Sequence, residues 1–172
     1  MTDTNQASPI RRGFNPQRAM EFARSELFER TFKDGMALVE ETAAYLDGPG
    51  RAASKRLSRA AALAYAGESM RLTTRLMQVA SWLLVQRAVR DGEIQMTEAA
   101  SEKYRLISRD AQPGATFAGA DDLPQALKAL IIRGGAIYER VRRLDETMYE
   151  GGAEGANPVN DQLARLTRAF NR

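Results

Sequence analysis

The side chains best suited to chemistry lie between Tyr65 and Arg90, where Y-A-G-E-S-M-R-L-T-T-R-L-M-Q-V-A-S-W-L-L-V-Q-R-A-V-R sets ionic and amide groups into a mostly apolar surface. At 3.6 residues per turn, Glu68, Arg71, Arg75, Gln78, Trp82 and Gln86 form one stripe of a helix, and Leu72, Leu76, Val79, Ala80 and Leu83 fill the arc beside it. Carboxylate, guanidinium, carboxamide and indole at this spacing perform ion pairing and hydrogen bonding. Two uses fit. In one, Glu68 pairs with Arg71 and Arg75 to satisfy a polar network inside a bundle; loss of one member of a buried pair costs roughly 3 to 5 kcal/mol. In the other, Arg71, Arg75, Gln78 and Trp82 border a recognition or dimer surface, since Trp and Arg are enriched among interface hot spots. The spacing alone leaves both open.

Bond-making chemistry finds little support. The chain has no Cys, so disulfides and thiolate metal sites are excluded, and no His, which removes the commonest general base and transition-metal ligand. Ser69 and Ser81 have no histidine to activate them, and Lys55 and Lys103 are distant in sequence. Asp121-Asp122 reads as a pair of helix-start carboxylates rather than a metal site. Gly151-Gly152-Ala153-Glu154-Gly155 follows a helix and lacks the Lys-Ser or Lys-Thr of a phosphate loop. No catalytic residue, cofactor site or metal site is expected. The formal charge is +3 and the pI about 9.4, with both signs interspersed on every helix. A small helical nucleic-acid-binding or scaffolding regulator is therefore the rival reading, favoured only by pI and by Arg140, Arg142 and Arg143. The first residues lack the apolar core of a secretory signal and no run reaches about 18 apolar residues, so a cytoplasmic protein that does not enter the membrane is expected.

The elements that carry the stripe follow from punctuation and period. Residues 1–14 are polar, with Pro9 and Gly13, and read as a flexible arm. Asn15-Pro16 opens a helix expected to run to Leu46, stopped by Gly48-Pro49-Gly50. A second helix is expected from Ser54 to Arg90, ended by Asp91-Gly92. Thr97 offers a cap for a short helix over 98–106, and 108–121 reads as a loop. The third helix begins at Asp122, with Leu123, Leu127, Leu130, Gly134, Ile137, Val141, Leu144 and Met148 alternating steps of four and three. No segment alternates with period two. The expected fold is all-α, an antiparallel up-down-up three-helix bundle over 15–150 with flexible N- and C-terminal arms, the latter 151–172.

Two surfaces remain for partners. In the tail, Val159, Leu163, Leu166 and Phe170 recur at steps of four, three and four, an amphipathic segment that fits a partner's groove or docks on its own bundle. The first helix has an apolar arc wider than one neighbour needs, with Phe28 and Phe32 on one part and Met20, Leu27 and Leu38 on the other; a two-fold interface that buries the excess makes a homodimer.

Three stretches, G-M-A-L-V-E-E-T-A-A-Y-L-D-G-P-G-R (35–51), A-G-E-S-M-R-L-T-T-R-L-M-Q-V-A-S-W-L-L-V-Q-R-A (66–88) and R-V-R-R-L-D (140–145), resemble the RcdA family, regulators of CtrA degradation in alphaproteobacteria. The likeness covers about residues 17–150. It implies a non-enzymatic, cytoplasmic, dimeric three-helix adaptor, placed at the cell pole, that helps bring cell-cycle regulators to the ClpXP protease. The same resemblance implies a ClpXP complex primed by a CpdR-like protein, additional cargo or secondary adaptor proteins as partners, and a tethering role for the tail, which here falls on 155–172.

Overall fold

A computed structural model describes residues 16–106 and 117–149, and these are entirely helices, turns and connecting coil. Six α-helices occur: α1 Pro16–Ala23, α2 Glu26–Asp47, α3 Pro49–Ser54, α4 Arg59–Arg90, α5 Met96–Ala99 and α6 Gln125–Tyr149. Three long helices carry the body, but the expected first helix is two. Ser25 breaks it: its backbone is extended, its Oγ accepts the Phe28 N–H at 3.2 Å, and its hydroxyl donates to the Phe22 carbonyl at 2.7 Å. Helix α1 is thereby freed to fold against α4, α5 and α6.

Gly48-Pro49 ends α2 as expected, yet Pro49 then opens the short α3, proline being well placed in a first turn. The start of α4 falls at Ser58 rather than Ser54, with Ser58 Oγ accepting the Ala61 N–H at 3.2 Å. Thr97 does not cap a helix; Gln95 precedes the single turn of α5, and a 3-10 turn follows at Glu102–Tyr104.

The up-down-up order is overturned. Pairings between α2 and α4 run in opposite directions, with Glu29 against Arg90, Phe32 under Arg87 and Gly35 against Leu83. Those between α2 and α6 are also antiparallel, Asp34 facing Arg140 and Glu41 facing Arg133. Between α4 and α6 they advance together: Leu72 meets Gly134, Arg75 the Tyr138 ring, Trp82 Asp145 and Gln86 Tyr149. Helices α4 and α6 are therefore parallel, and both oppose α2. At 1.5 Å per residue α4 is about 48 Å long, so the chain from Asp91 to Pro124 has to travel back along it before α6 begins. Arg105 reaches the level of Trp82, Phe117 lies against Gly67, and Gly119 reaches the backbone of Ala60 and Ala61. The connection from α4 to α6 is therefore a crossover; residues 107–116, within the expected loop, lie outside the described residues.

The core explains the register. Leu72, Leu76, Val79 and Leu83 of α4 interdigitate with Phe28 and Leu38 of α2 and with Leu127, Leu130, Ile137 and Val141 of α6. The expected seam holds from Leu123 to Val141 and again at Met148; between them Leu144 is only half-buried and Asp145 takes the inward position. A straight helix drifts by about 20° per heptad from a strict seven-residue repeat, which carries the buried line from Leu127 to Asp145 in steps of 3.6.

Two glycines separate close approach from mere tolerance. A Cβ at Gly119, where φ is +86°, would meet the backbone of Ala61 and Ala60 at 2.7 and 2.8 Å, whereas one at Gly135 would meet nothing within 4 Å. Gly119→Ala should destabilise by about 1–3 kcal/mol through strain and overpacking, and Gly135→Ala should stabilise by about 0.5–1 kcal/mol through helix propensity; thermal unfolding of the two variants tests the opposite signs.

Candidate functional site

The α4 stripe splits into two parts. At its N-terminal end Glu68 and Arg71 form an ion pair at 2.7 Å, partly buried, and the Arg71 guanidinium lies 5.1 Å from the centre of the Phe117 ring. Arg75 stacks on Tyr138 at 6.0 Å, and its Nε is enclosed without an acceptor; the Oε1 of Gln78 is enclosed without a donor. Arg71 thus grips the returning crossover, where Gly67 lets Phe117 approach closely, while Arg75 reaches α6.

The second part lies deeper. The Nε1–H of Trp82 donates to Asp145 Oδ1 at 2.8 Å, and Arg105 clasps both carboxylate oxygens, Nε to Oδ1 at 3.0 Å and to Oδ2 at 2.9 Å, with a terminal nitrogen 2.9 Å from Oδ2. The side chains of Arg105 and Asp145 are 12% and 4% exposed, so water screens the pair little. One turn along, Tyr149 Oη donates to Gln86 Oε1 at 3.0 Å, and Arg105 covers the Tyr149 ring at 5.0 Å. Burial raises the Asp145 pKa above its usual 3.8, opposed by Arg105, by the Trp82 N–H and by the backbone N–H of Leu106. Burial likewise pushes the Tyr149 hydroxyl up to about 12.

Trp82 and Gln86, on the stripe, are thus drawn into a network with three residues that periodicity missed: Arg105, Asp145 and Tyr149. Asp145 closes the R-V-R-R-L-D stretch, and the helical drift that turns it inward was the available signal. Val159, Leu163, Leu166 and Phe170 lie outside the described residues. Among the described residues no cluster of acidic side chains suits a metal ion, and no helix is long and apolar enough to cross a membrane.

The opposite face of α4 has another character. Its exposed residues from Leu63 to Leu84 are Leu63, Ala66, Met70, Thr73, Thr74, Met77, Ser81 and Leu84, none charged. Met70 is 74% and Met77 64% exposed. This ridge is flanked by a groove of about 480 Å³ against residues 103–106, lined by Thr74, Gln78, Trp82, Val85, Tyr104 and Leu106 among others, and by one of about 270 Å³ against α2. The apolar arc expected to be left over on the first helix is consumed inside: Phe28 and Leu38 are buried, Met20 and Phe32 partly so, and only Leu27 stays largely exposed. The break at Ser25 folds α1 back, placing Phe22 against Phe28 and Trp82 at 5.8 and 6.3 Å.

Polar groups spent on internal pairing, beside an uncharged apolar ridge, describe an all-helical protein whose apolar surplus faces outward on α4. The chain belongs to the family described as "Protein of unknown function (DUF1465)", which matches residues 19–170, and within it to the RcdA proteins. The crystal structure of RcdA from Caulobacter crescentus CB15 is 59% identical, with a TM-score of 0.62, over 76% of this chain and 97% of that one. No curated protein matches.

Breaking the buried pair from one side strands the other charge. Asp145→Asn should cost about 3–5 kcal/mol, and Arg105→Met combined with Asp145→Leu should cost less than the sum of the two single changes. Urea unfolding followed by the fluorescence of Trp82, the only tryptophan in the sequence, measures both.

Proposed function

We propose that the protein is a non-enzymatic proteolytic adaptor that helps deliver cell-cycle regulators such as CtrA to ClpXP, working with a protease complex primed by a CpdR-like protein. The observation that carries this reading is the 59% identity to an RcdA covering nearly all of that chain. The placement is cytoplasmic, at the cell pole. Cargo or secondary adaptors meet the body, and the tail, with Val159, Leu163, Leu166 and Phe170 as anchors, tethers the complex. The up-down-up order expected from helix spacing gives way to two parallel long helices opposed by one.

The adaptor is a homodimer in this reading, and α4 supplies its surface. The eight exposed residues from Leu63 to Leu84 are arranged about the Thr73–Thr74 bond: Leu63 mirrors Leu84, Ala66 mirrors Ser81, and Met70 mirrors Met77. Antiparallel pairing of two copies sets each residue against its like, or alanine against serine, as an isologous two-fold contact requires. Seven-residue spacing of the four large side chains suits two helices packed near 20°. Among the described residues the nucleic-acid reading loses two of its three arginines to pairing, because Arg140 and Arg142 face Asp34, Glu139 and Glu146.

Met70→Glu with Met77→Glu places four carboxylates at the two-fold axis and should convert the dimer to a 19.0 kDa monomer in sedimentation at micromolar concentration, with thermal stability of the body retained. A wild-type chain that sediments as a monomer would sink the dimer. Removing 155–172 should lower retention on immobilised ClpX primed with CpdR at least about tenfold while leaving the unfolding midpoint unchanged; undiminished retention would refute the tether.

A further inference from the structure

The positive charge of the chain is concentrated at one place. Gly48 to Gly67 contain Arg51, Lys55, Arg56 and Arg59 and no carboxylate, so this stretch carries +4 against +3 for the whole chain, and all the rest sums to −1. The four residues are exposed, and none has an ion-pair partner among the described residues. Arg71, Arg90, Arg105, Arg133 and Arg142, by contrast, each hold a carboxylate. We propose that the corner formed by α3 and the first turn of α4 is a docking site for an acidic segment of a partner protein, held by Arg51, Lys55, Arg56 and Arg59. The site requires neither the tail nor the two-fold contact.

Local structure holds the corner rigid, and stability does not account for its charges. A Cβ at Gly50 would meet Tyr65 Oη at 2.6 Å and Tyr45 Cε1 at 2.7 Å, so α3 lies hard against both side chains. The Ser54 hydroxyl donates to the Arg51 carbonyl at 2.9 Å and the Arg56 N–H to the Ala53 carbonyl at 3.0 Å, which closes the turn that carries the cations. Gly50 is the one buried residue of α3, so six residues are ordered with little gain in core. Arg59 stands in the first turn of α4, where the helix dipole favours acids and none is present. Four like charges so close in sequence also repel one another. Cations fixed in place, facing solvent and unfavourable to each other are suited to an anion that arrives from outside.

The surroundings select the kind of anion. Arg51 and Lys55, four residues apart, stand about 6 Å from each other, close to the roughly 7 Å between alternate side chains of an extended peptide. Arginine takes a carboxylate with two parallel hydrogen bonds, and lysine serves as a point charge. Asp47 borders the corner on the α2 side, and Asp121 and Asp122 follow Gly119, which packs against Ala60 and Ala61 beside Arg59. A nucleic-acid strand or an anionic membrane carries negative charge past the corner onto those carboxylates. A short peptide segment with alternating Asp or Glu ends within it.

Fluorescence anisotropy of the full chain with a labelled peptide of three Glu-Gly-Asp-Ser repeats tests the site, with a short oligothymidylate and phosphatidylglycerol vesicles as rival probes. The peptide should bind at low ionic strength and weaken as salt is added. Arg51→Glu, Lys55→Glu and Arg56→Glu together should lower its affinity at least about tenfold. Arg30→Glu, Lys33→Glu and Arg143→Glu together change the net charge equally at exposed positions elsewhere and should cost less than about threefold, because salt screens distant charges. Equal losses in the two triples, no binding of the peptide, or tighter binding of the oligonucleotide or the vesicles would overturn the proposal. A corner triple that changes sedimentation and leaves peptide binding intact would also overturn it, giving the corner to a second copy. In the unaltered chain a carbodiimide should join the peptide to Lys55 ahead of Lys33, which is also exposed; the reverse order would remove the site without reliance on any variant.

Discussion

A carboxylate taken out of water has to be answered on every side, and Asp145 is answered by two stretches of chain far from it in sequence. Trp82 comes from α4, Arg105 and the Leu106 N–H from the crossover, and the carboxylate itself from α6. Replacing such a pair with apolar side chains is often neutral or stabilising, so its worth lies in what it forbids. A shift of α6 by one residue against α4 would break the bond from the Trp82 N–H to Asp145. The neighbouring Tyr149–Gln86 bond repeats the same sequence offset one turn further on and enforces the same register. Parallel α4 and α6, and the long return path between them, follow from this requirement together with the apolar seam.

The two sides of α4 divide the labour of the molecule. Its inner side spends Glu68, Arg71, Trp82 and Gln86 on holding α6 and the crossover in place. Its outer side carries no charge from Leu63 to Leu84 and offers methionine and leucine to whatever packs there. Methionine suits such a surface because its flexible thioether fills irregular gaps. Rigidity inside and apolar exposure outside belong together, since a ridge presented to a second body gains affinity only if it does not have to be ordered on binding.

Much of the architecture was legible from residues alone. The α6 seam from Leu123 to Val141, the stop at Gly48-Pro49 and the end of α4 at Asp91 were set by side-chain period and by proline and glycine chemistry, which act locally. The break at Ser25 was hidden because apolar residues continue through it, and a serine cap is not visible until the chain turns. Strict alternation of threes and fours chose Leu144 over Asp145 because a regular heptad conceals the drift of a straight helix. The exposed ridge of α4 was passed over because Leu63, Met70, Met77 and Leu84 read as core when burial is judged by residue type.

The sequence by itself determined an all-helical chain without histidine or cysteine chemistry, the identity of the stripe on α4, and a family likeness in three stretches. Only the tertiary structure decided that α4 and α6 run the same way, that Asp145 is the centre of the polar network, and that the apolar surplus faces outward on α4 rather than on the first helix. Helical period reports which residues share a face. It carries no information on which neighbour covers that face or in which direction the neighbour runs, because those depend on packing between segments more than 60 residues apart.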